Sequence, residues 1–339
     1  LNTLFVTTQG AYLNKDGACI VVSVDQQERL RVPVHHLGGL VCFGNVLCSP
    51  FLLGHCAENG VAVSFLNEHG RFLARVQGAV SGNVLLRREQ YRRADDAAAT
   101  ARLARAFIIG KTANARTVLL RAARDHSEKP GAEKLTEAAR RLGMVSRELG
   151  AERPLEELRG IEGDAARTYF GAFDALVTAQ REDFPFQERS RRPPMDNLNA
   201  LLSFLYTLLA HDCIGALESV GLDPQVGFLH RERPGRPSLA LDLMEEFRPV
   251  LADRLALSLV NLRQVQGRDF RRTDSGAVEM QEDARKTILI EWQKRKQEEI
   301  RHPFLEETMP VGLLPHVQAL LLARHIRGDL DGYPPFLWK

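Results

Sequence analysis

The chain has 339 residues, 44% of them hydrophobic and 26% charged, with a formal net charge of +2. That length allows two domains with cores of their own, and the composition is that of an ordinary soluble globular protein. The near-neutral balance excludes bulk charge as a means of holding nucleic acid, so any basic surface has to come from local clustering.

The first 80 residues read as short strands. Leu4-Phe5-Val6 and Cys19-Ile20-Val21-Val22 are β-branched or aromatic runs, with a turn at Asn14-Lys15-Asp16-Gly17 between them. Arg29 to Val34 alternates charged and apolar residues, and Pro33 suits a strand end or edge. Gly38 to Gly44 reads as a buried strand. Ser49 to Asn59 reads as a helix capped by Ser49, with Pro50 at its first position. Val61 to Leu66 and Phe72 to Val76 complete a small β domain around a turn at Glu68-His69-Gly70. Residues 81–94 read as a linker.

From Asp95 onward alanine, leucine and arginine dominate, and apolar residues recur at helical spacing. The pattern predicts helices over 95–124, 131–149, 162–180, 196–220, 238–260, 278–301 and 312–327. Breakers at Lys129-Pro130-Gly131, Arg192-Pro193-Pro194 and Arg233-Pro234-Gly235-Arg236-Pro237 separate them. The expected fold is a multidomain α and β chain: a small β-sandwich-like domain over 1–80 and a larger all-α domain over 95–339.

Five cysteines occur without a CxxC pair, which fits a reducing compartment. No apolar run is expected to reach the roughly 18 to 20 residues a membrane span needs. The first residues lack the charged and long apolar regions of a signal peptide, and Leu1 in place of Met points to a natural start upstream. The expectation is a cytoplasmic protein that meets no membrane.

Three short signatures carry the candidate chemistry. Glu162 sits in Gly160-Ile161-Glu162-Gly163, followed by Arg167 and Tyr169. As the first residue of a predicted helix, it also reads as an ordinary first-turn acid that gains from the helix dipole. His230 closes Gly227-Phe228-Leu229-His230, and such a histidine is more often a satisfied core or surface residue than a ligand. Asp242 and Glu245 stand three apart on a predicted helix and point the same way, which also describes a solvated edge. Two carboxylates and an imidazole suit a hard divalent cation with positions left for water and phosphate oxygens. Basic loops flank these signatures at Arg189 to Arg192 and at Arg231, Arg233 and Arg236. Arginine forks match phosphate. The basic residues of 285–301 alternate with glutamates and read as a solvated face.

Taken jointly, these signatures resemble CRISPR-associated protein one, the CRISPR adaptation integrase and endonuclease. The likeness extends over nearly the whole chain. It includes Leu4 to Thr7, Val32-Pro33-Val34-His35, Gly60 to Val63, Pro193-Pro194 through Asp196 and Asn199 to Ser203, and Tyr206. The tail, Gly312 to His316 and Tyr333-Pro334-Pro335-Phe336, resembles the type I-C branch.

The resemblance implies homodimerisation through the β domain and a helical catalytic domain with metal ligands Glu162, His230 and Glu245. Asp242 would stand beside the metal. Tyr169, Arg231, Arg233, Arg236 and Arg248 would position phosphate. The implied cofactor is Mn²⁺ or Mg²⁺. The implied reaction is attack by the 3′-hydroxyl of a short foreign DNA fragment on a phosphodiester of a CRISPR repeat. The implied partners are double-stranded DNA, a small ferredoxin-like adaptation protein and a fragment-trimming CRISPR nuclease. A general metal-dependent nuclease and a non-catalytic DNA-binding scaffold stay open as alternatives.

Overall fold

The computed structural model describes residues 2–68, 70, 72–76, 78, 84–128 and 131–338. His69 of the expected turn, 81–83 of the expected linker and Lys129-Pro130 of an expected breaker lie outside the described residues.

The strands form where the β-branched runs lie: β1 (Asn2–Val6), β2 (Tyr12–Asp16), β3 (Cys19–Val24), β4 (Gln27–Pro33), β5 (Leu37–Phe43) and β6 (Leu47–Cys48). Helix α1 (Pro50–Glu58), β7 (Ala62–Leu66) and β8 (Phe72–Val76) follow. Ser49 caps α1 as expected, its hydroxyl accepting from the Leu52 amide at 3.2 Å. The β3–β4 hairpin turns on Asp25 and Gln26, both at positive φ, which matches the strand twist in a two-residue turn. One four-stranded sheet runs β1-β5-β7-β8 and the other β4-β3-β2-β6. The two sheets share one core with α1. Val6, Leu40 and Val63 of the first meet Leu13, Ile20 and Val22 of the second, with Leu52 and Cys56 between.

The segment expected as a linker is instead a helix from Val84 onward, α2 (Val84–Asp95). It folds against the rest because Leu86 and Gln90 are buried, with Gln90 donating to the carbonyls of Asp223 and Val226 at 2.8 Å each. Asp96 ends α2 and caps α3 (Ala97–Asp125), accepting from the Ala98 and Ala99 amides. Helices α4 (Ala132–Glu148), α5 (Leu155–Gly171) and α6 (Asn197–Ser219) follow. Helix α6 is long and apolar enough to cross a membrane by length and composition, contrary to expectation, but more than half of that stretch is buried. Leu198, Leu201, Leu205, Leu208 and Cys213 make it the core helix of this half.

The single helix expected over 238–260 is broken in three. Helix α7 (Ser238–Met244) stops before Glu245, a π-helical turn spans Arg248–Asp253, and α8 (Arg254–Asn261) resumes. Pro249 is the physical reason, since it has no amide to donate and its ring restricts Arg248. The expected 278–301 helix also shortens. It is α9 (Glu282–Gln297), preceded by the ribbon β9 (Phe270–Arg272) and β10 (Val278–Met280) and followed by the ribbon β11 (Glu299–Arg301) and β12 (Thr308–Pro310). Helix α10 (Leu314–Arg327) closes the set.

The β and helical parts pack directly on one another. Phe43 and Leu66 belong to the helical core, and the Phe43 ring lies 6.2 Å from that of Phe204. Lys296 of α9 reaches Thr3 Oγ1 at 3.1 Å and Asp212 at 3.0 Å.

Candidate metal centre

Helix α5 begins at Leu155, after Pro154, so Glu162 lies two turns inside it. The expected helix start at 162 is therefore wrong, and with it the dipole reading, because that effect fades beyond the first turn. What places Glu162 is the packing of α5 on α3. Ala165 and Tyr169 bury the neighbouring face, and the glutamate meets the Lys111 ammonium of α3. Gly160 and Gly163 meet nothing within 4 Å, so the surface beside Glu162 is open.

His230 is set by Asp242 of α7. The buried Asp242 carboxylate accepts from the backbone amides of Phe228 (2.6 Å), Leu229 (3.0 Å) and His230 (2.9 Å), and lies 2.7 Å from the imidazole Nδ1. With Nδ1 donating, Nε2 keeps its lone pair and faces Glu245 Oε1 at 3.7 Å. Gly227 is needed here because a Cβ would stand 2.8 Å from Asp242 Oδ2 and 2.7 Å from the Ser238 backbone. A carboxylate that fixes the ring and its tautomer is the usual neighbour of a metal-binding histidine.

Glu245 sits just past the end of α7 with a side chain only 2% exposed. Arg248 donates to its Oε1 at 2.5 Å. The Lys111 ammonium lies 2.7 Å from Oε2, an ion-pair contact, and Oε2 has no hydrogen-bond partner of its own among the described residues. Burial pushes this carboxyl up, but Arg248, then Lys111 and His230, outweigh it and hold it down at about 2. The adjacent Glu246 faces the other way and is pushed up to about 8 by burial.

The structure thus brings Glu162, His230, Glu245 and Asp242 together, and adds Lys111, which the sequence reading missed. Its signal was a lone lysine in the run Phe107-Ile108-Ile109-Gly110-Lys111-Thr112-Ala113, where an amphipathic helix should be apolar. The donor set suits a hard divalent cation: two carboxylates and an imidazole with its far nitrogen already engaged. As the side chains stand, no three His, Cys, Asp or Glu groups among the described residues are close enough to ligate one ion. The Lys111 ammonium lies between the two glutamates instead.

The expected phosphate contacts divide. Tyr169 is 4% exposed and donates to the buried Asp253 at 3.0 Å, so its hydroxyl does not face a ligand. Tyr206 donates to the same carboxylate at 2.7 Å, and burial raises Asp253 to about 6. Arg248 is committed to Glu245, its guanidinium 5.1 Å from the Tyr206 ring. Tyr169 is thus buried and already paired, whereas Arg248 is half-buried and its Nε has no hydrogen-bond partner among the described residues. Arg231 is exposed and bonded to Glu156 at 2.8 Å. Arg233 is exposed and Arg236 half-buried on the same loop. On α9, Lys286 and Lys294 pair with Glu282 and Glu291, as expected of a solvated face.

Two carboxylates and an imidazole thus meet around Lys111 and Arg248 on the helical half, beside a β half with two four-stranded sheets. The family model of CRISPR associated protein Cas1 matches residues 4–294, and the chain belongs to that family. It is 60% identical to CRISPR-associated endonuclease Cas1 1 of Chlorobaculum tepidum over 339 residues, covering 100% of this chain and 99% of the relative. It is 56% identical to CRISPR-associated endonuclease Cas1 2 of Rhodospirillum rubrum over 343 residues, covering 100% and 99%. A Cas4/Cas1 fusion of Geobacter sulfurreducens matches at 36% identity, over 99% of this chain and 60% of the fusion. Among solved structures, a casposase bound to integration product has the same fold, with TM-score 0.84 and 22% identity over 100% and 95% of the two chains. A Cas6-RT-Cas1–Cas2 complex matches with TM-score 0.81 and 23% identity, over 99% of this chain and 36% of that one.

Proposed function

We propose that Glu162, His230 and Glu245 hold one divalent cation, Mn²⁺ or Mg²⁺, and that this centre carries DNA strand transfer. The chain is an endonuclease and integrase of CRISPR adaptation. The observation that supports the centre best is the pairing of Asp242 with His230 Nδ1 at 2.7 Å, which leaves Nε2 turned toward Glu245. A structural histidine needs no such orientation toward a buried acid.

When bound, the metal supplies Lewis acidity: it lowers the pKa of an attacking 3′-hydroxyl and neutralises charge on phosphorus. The residues of the chain do the rest. Asp242 fixes the ring through Nδ1 and turns Nε2 toward Glu245. Arg248 keeps Glu245 ionised although it is buried. Arg231, Arg233 and Arg236, on the loop after His230, and Arg248 beside Glu245 would meet phosphate oxygens. The open surface at Gly160 and Gly163 gives a rigid duplex room to approach Glu162.

Double-stranded DNA is the substrate in this reading, both as foreign fragment and as repeat. Residues 1–80 serve homodimerisation, and the tail follows the type I-C pattern. A small ferredoxin-like partner and a fragment-trimming nuclease are in keeping with the Cas6-RT-Cas1–Cas2 complex and with the exonuclease Cas4 fused to Cas1. Joining of linear fragments into supercoiled repeat DNA with Mn²⁺ tests the reading. Wild type joins them, and Glu162→Ala or His230→Ala abolishes joining while the protein stays folded. Fragment degradation without joining would support a simple nuclease, and full joining by both variants would remove the centre.

A further inference from the structure

The Lys111 ammonium stands where the implied metal would be shared. It contacts Glu162 Oε1 and lies 2.7 Å from Glu245 Oε2, and its side chain is only 12% exposed. Two carboxylates turned to one point in a half-dry site repel each other, and a cation between them is what allows the arrangement. Arg248 offsets Glu245 from its other oxygen, Oε1. With Lys111 and Arg248 both present, Glu162 and Glu245 are matched charge for charge before any ion binds.

The two cations differ in how they are held. Arg248 is wedged between Glu245 and the Tyr206 ring, a fixed planar fork. Lys111 is a point charge on a flexible stem. Its backbone is fixed by a tight approach of α3. A Cβ at Gly110 would stand 2.9 Å from Glu246 Cγ and 3.2 Å from Pro335 Cβ. The helix is therefore pressed onto the Glu245–Glu246 segment, and the lysine is delivered to the carboxylates with only its side chain free to leave.

We propose that Lys111 is a displaceable counter-ion: it holds Glu162 and Glu245 together in the metal-free protein and competes with the divalent cation for both carboxylates. This rests on the metal-centre reading above. The shape of the site is thus kept before metal arrives, at the expense of affinity. Metal entry requires the ammonium to swing out toward the open surface, where phosphate oxygens of the substrate would meet it. Lys111 acts here as a positioning residue.

Titration calorimetry with Mn²⁺ on the metal-stripped full chain tests this, using wild type, Lys111→Met and Glu162→Ala. Lys111→Met keeps the stem and removes the charge. It should bind Mn²⁺ about tenfold more tightly, a coupling of ordinary size between competing ligands. Its melting temperature should fall without metal and recover with it, because two buried carboxylates lose their cation until the ion replaces it. A purely structural lysine would lower the melting temperature equally with and without Mn²⁺ and leave the Kd unchanged; that result overturns the proposal.

If Lys111→Met does not fold, wild type labelled with ¹⁵N-lysine decides. The Lys111 ammonium resonance should be protected without metal and lost on Mg²⁺ addition, and its persistence overturns the proposal. The two readings fail separately. Equal Mn²⁺ binding by wild type and Glu162→Ala removes the centre itself, whereas Glu162-dependent binding with equal Kd in Lys111→Met removes only the counter-ion.

Discussion

Glu245 and Glu246 are neighbours in the chain, both are buried, and they face two regions built on opposite principles. Glu245 turns to the centre, where Arg248 and Lys111 outweigh burial and hold it at about 2. Glu246 turns to the C-terminal tail and meets only uncharged donors: Tyr333 Oη at 2.7 Å, the Phe336 amide at 2.7 Å and Gln318 Nε2 at 3.0 Å. There burial wins and raises it to about 8. The contrast teaches that burial alone does not decide a carboxylate's charge; the partners do. It also explains how one turn serves two tasks. The ionised acid is available to a cation, while the neutral one latches the tail against the segment that carries it. Trp338 completes the latch, its ring between the guanidinium groups of Arg121 (3.9 Å) and Arg254 (4.2 Å).

The sharpest way to break the contrast is to remove each charge alone. Glu245→Gln should lower Mn²⁺-dependent strand transfer by about a thousandfold, the upper range for losing one preorganised electrostatic group. Glu246→Gln should leave most of it, because that carboxyl is already neutral at pH 7. Equal losses in a joining assay would show that the two acids are not functionally distinct.

Deleting Tyr333–Lys339 should cost about 3–5 kcal/mol or more by chemical denaturation, since it removes the fully buried Phe336 from the core and strips donors from Glu246. It should also weaken Mn²⁺ binding by about tenfold or more, as expected when the support of a ligand is lost. Unchanged Mn²⁺ affinity would uncouple the tail from the centre.

The pH dependence sharpens the contrast further. The folded chain holds a proton on Glu246 up to about 8, whereas an ordinary glutamate carboxyl releases it near 4.5. The folded state thus binds more protons over that window, and stability should fall as pH rises through it. Glu245 works in reverse: its stabilisation is present above 4.5 and is lost as pH falls toward about 2. In melts from pH 5 to 9, the wild type should lose stability with rising pH relative to Glu246→Gln. Parallel curves would contradict the assignment.

The smallest effect concerns Tyr169. Tyr169→Phe should cost about 1–2 kcal/mol by leaving Asp253 short of a donor. It should leave DNA affinity at fixed salt unchanged. A DNA affinity lowered about tenfold at fixed salt, as for a lost hydrogen bond to a charged group, would return Tyr169 to the DNA surface.

Much of the scaffold was legible because its signals are local. Ser49-Pro50 marks a capped helix start, and β-branched runs became strands. What failed to read was mostly non-local. Pro249 is the exception, a local breaker inside the pattern read as one helix over 238–260. Val84–Asp95 looked like a linker because its few apolar residues pack on distant elements rather than on one another. Glu162, His230, Asp242 and Glu245 were legible through their signatures. Lys111 was not, since its role depends on α3 crossing α5 and α7. The burial of the Tyr169 hydroxyl on Asp253 was not legible, because residue type shows hydrogen-bonding capacity but not whether a buried acid has already taken it.

The central claim is that one cation is shared by Glu162, His230 and Glu245. A crystal of the metal-stripped protein soaked in Mn²⁺ and measured by anomalous diffraction tests it most directly. The account predicts a single strong peak ligated by a carboxylate oxygen of each glutamate and by His230 Nε2, with the Lys111 ammonium moved off both carboxylates. A soaked crystal in which Lys111 still bridges Glu162 and Glu245, with no manganese beside His230, would contradict it.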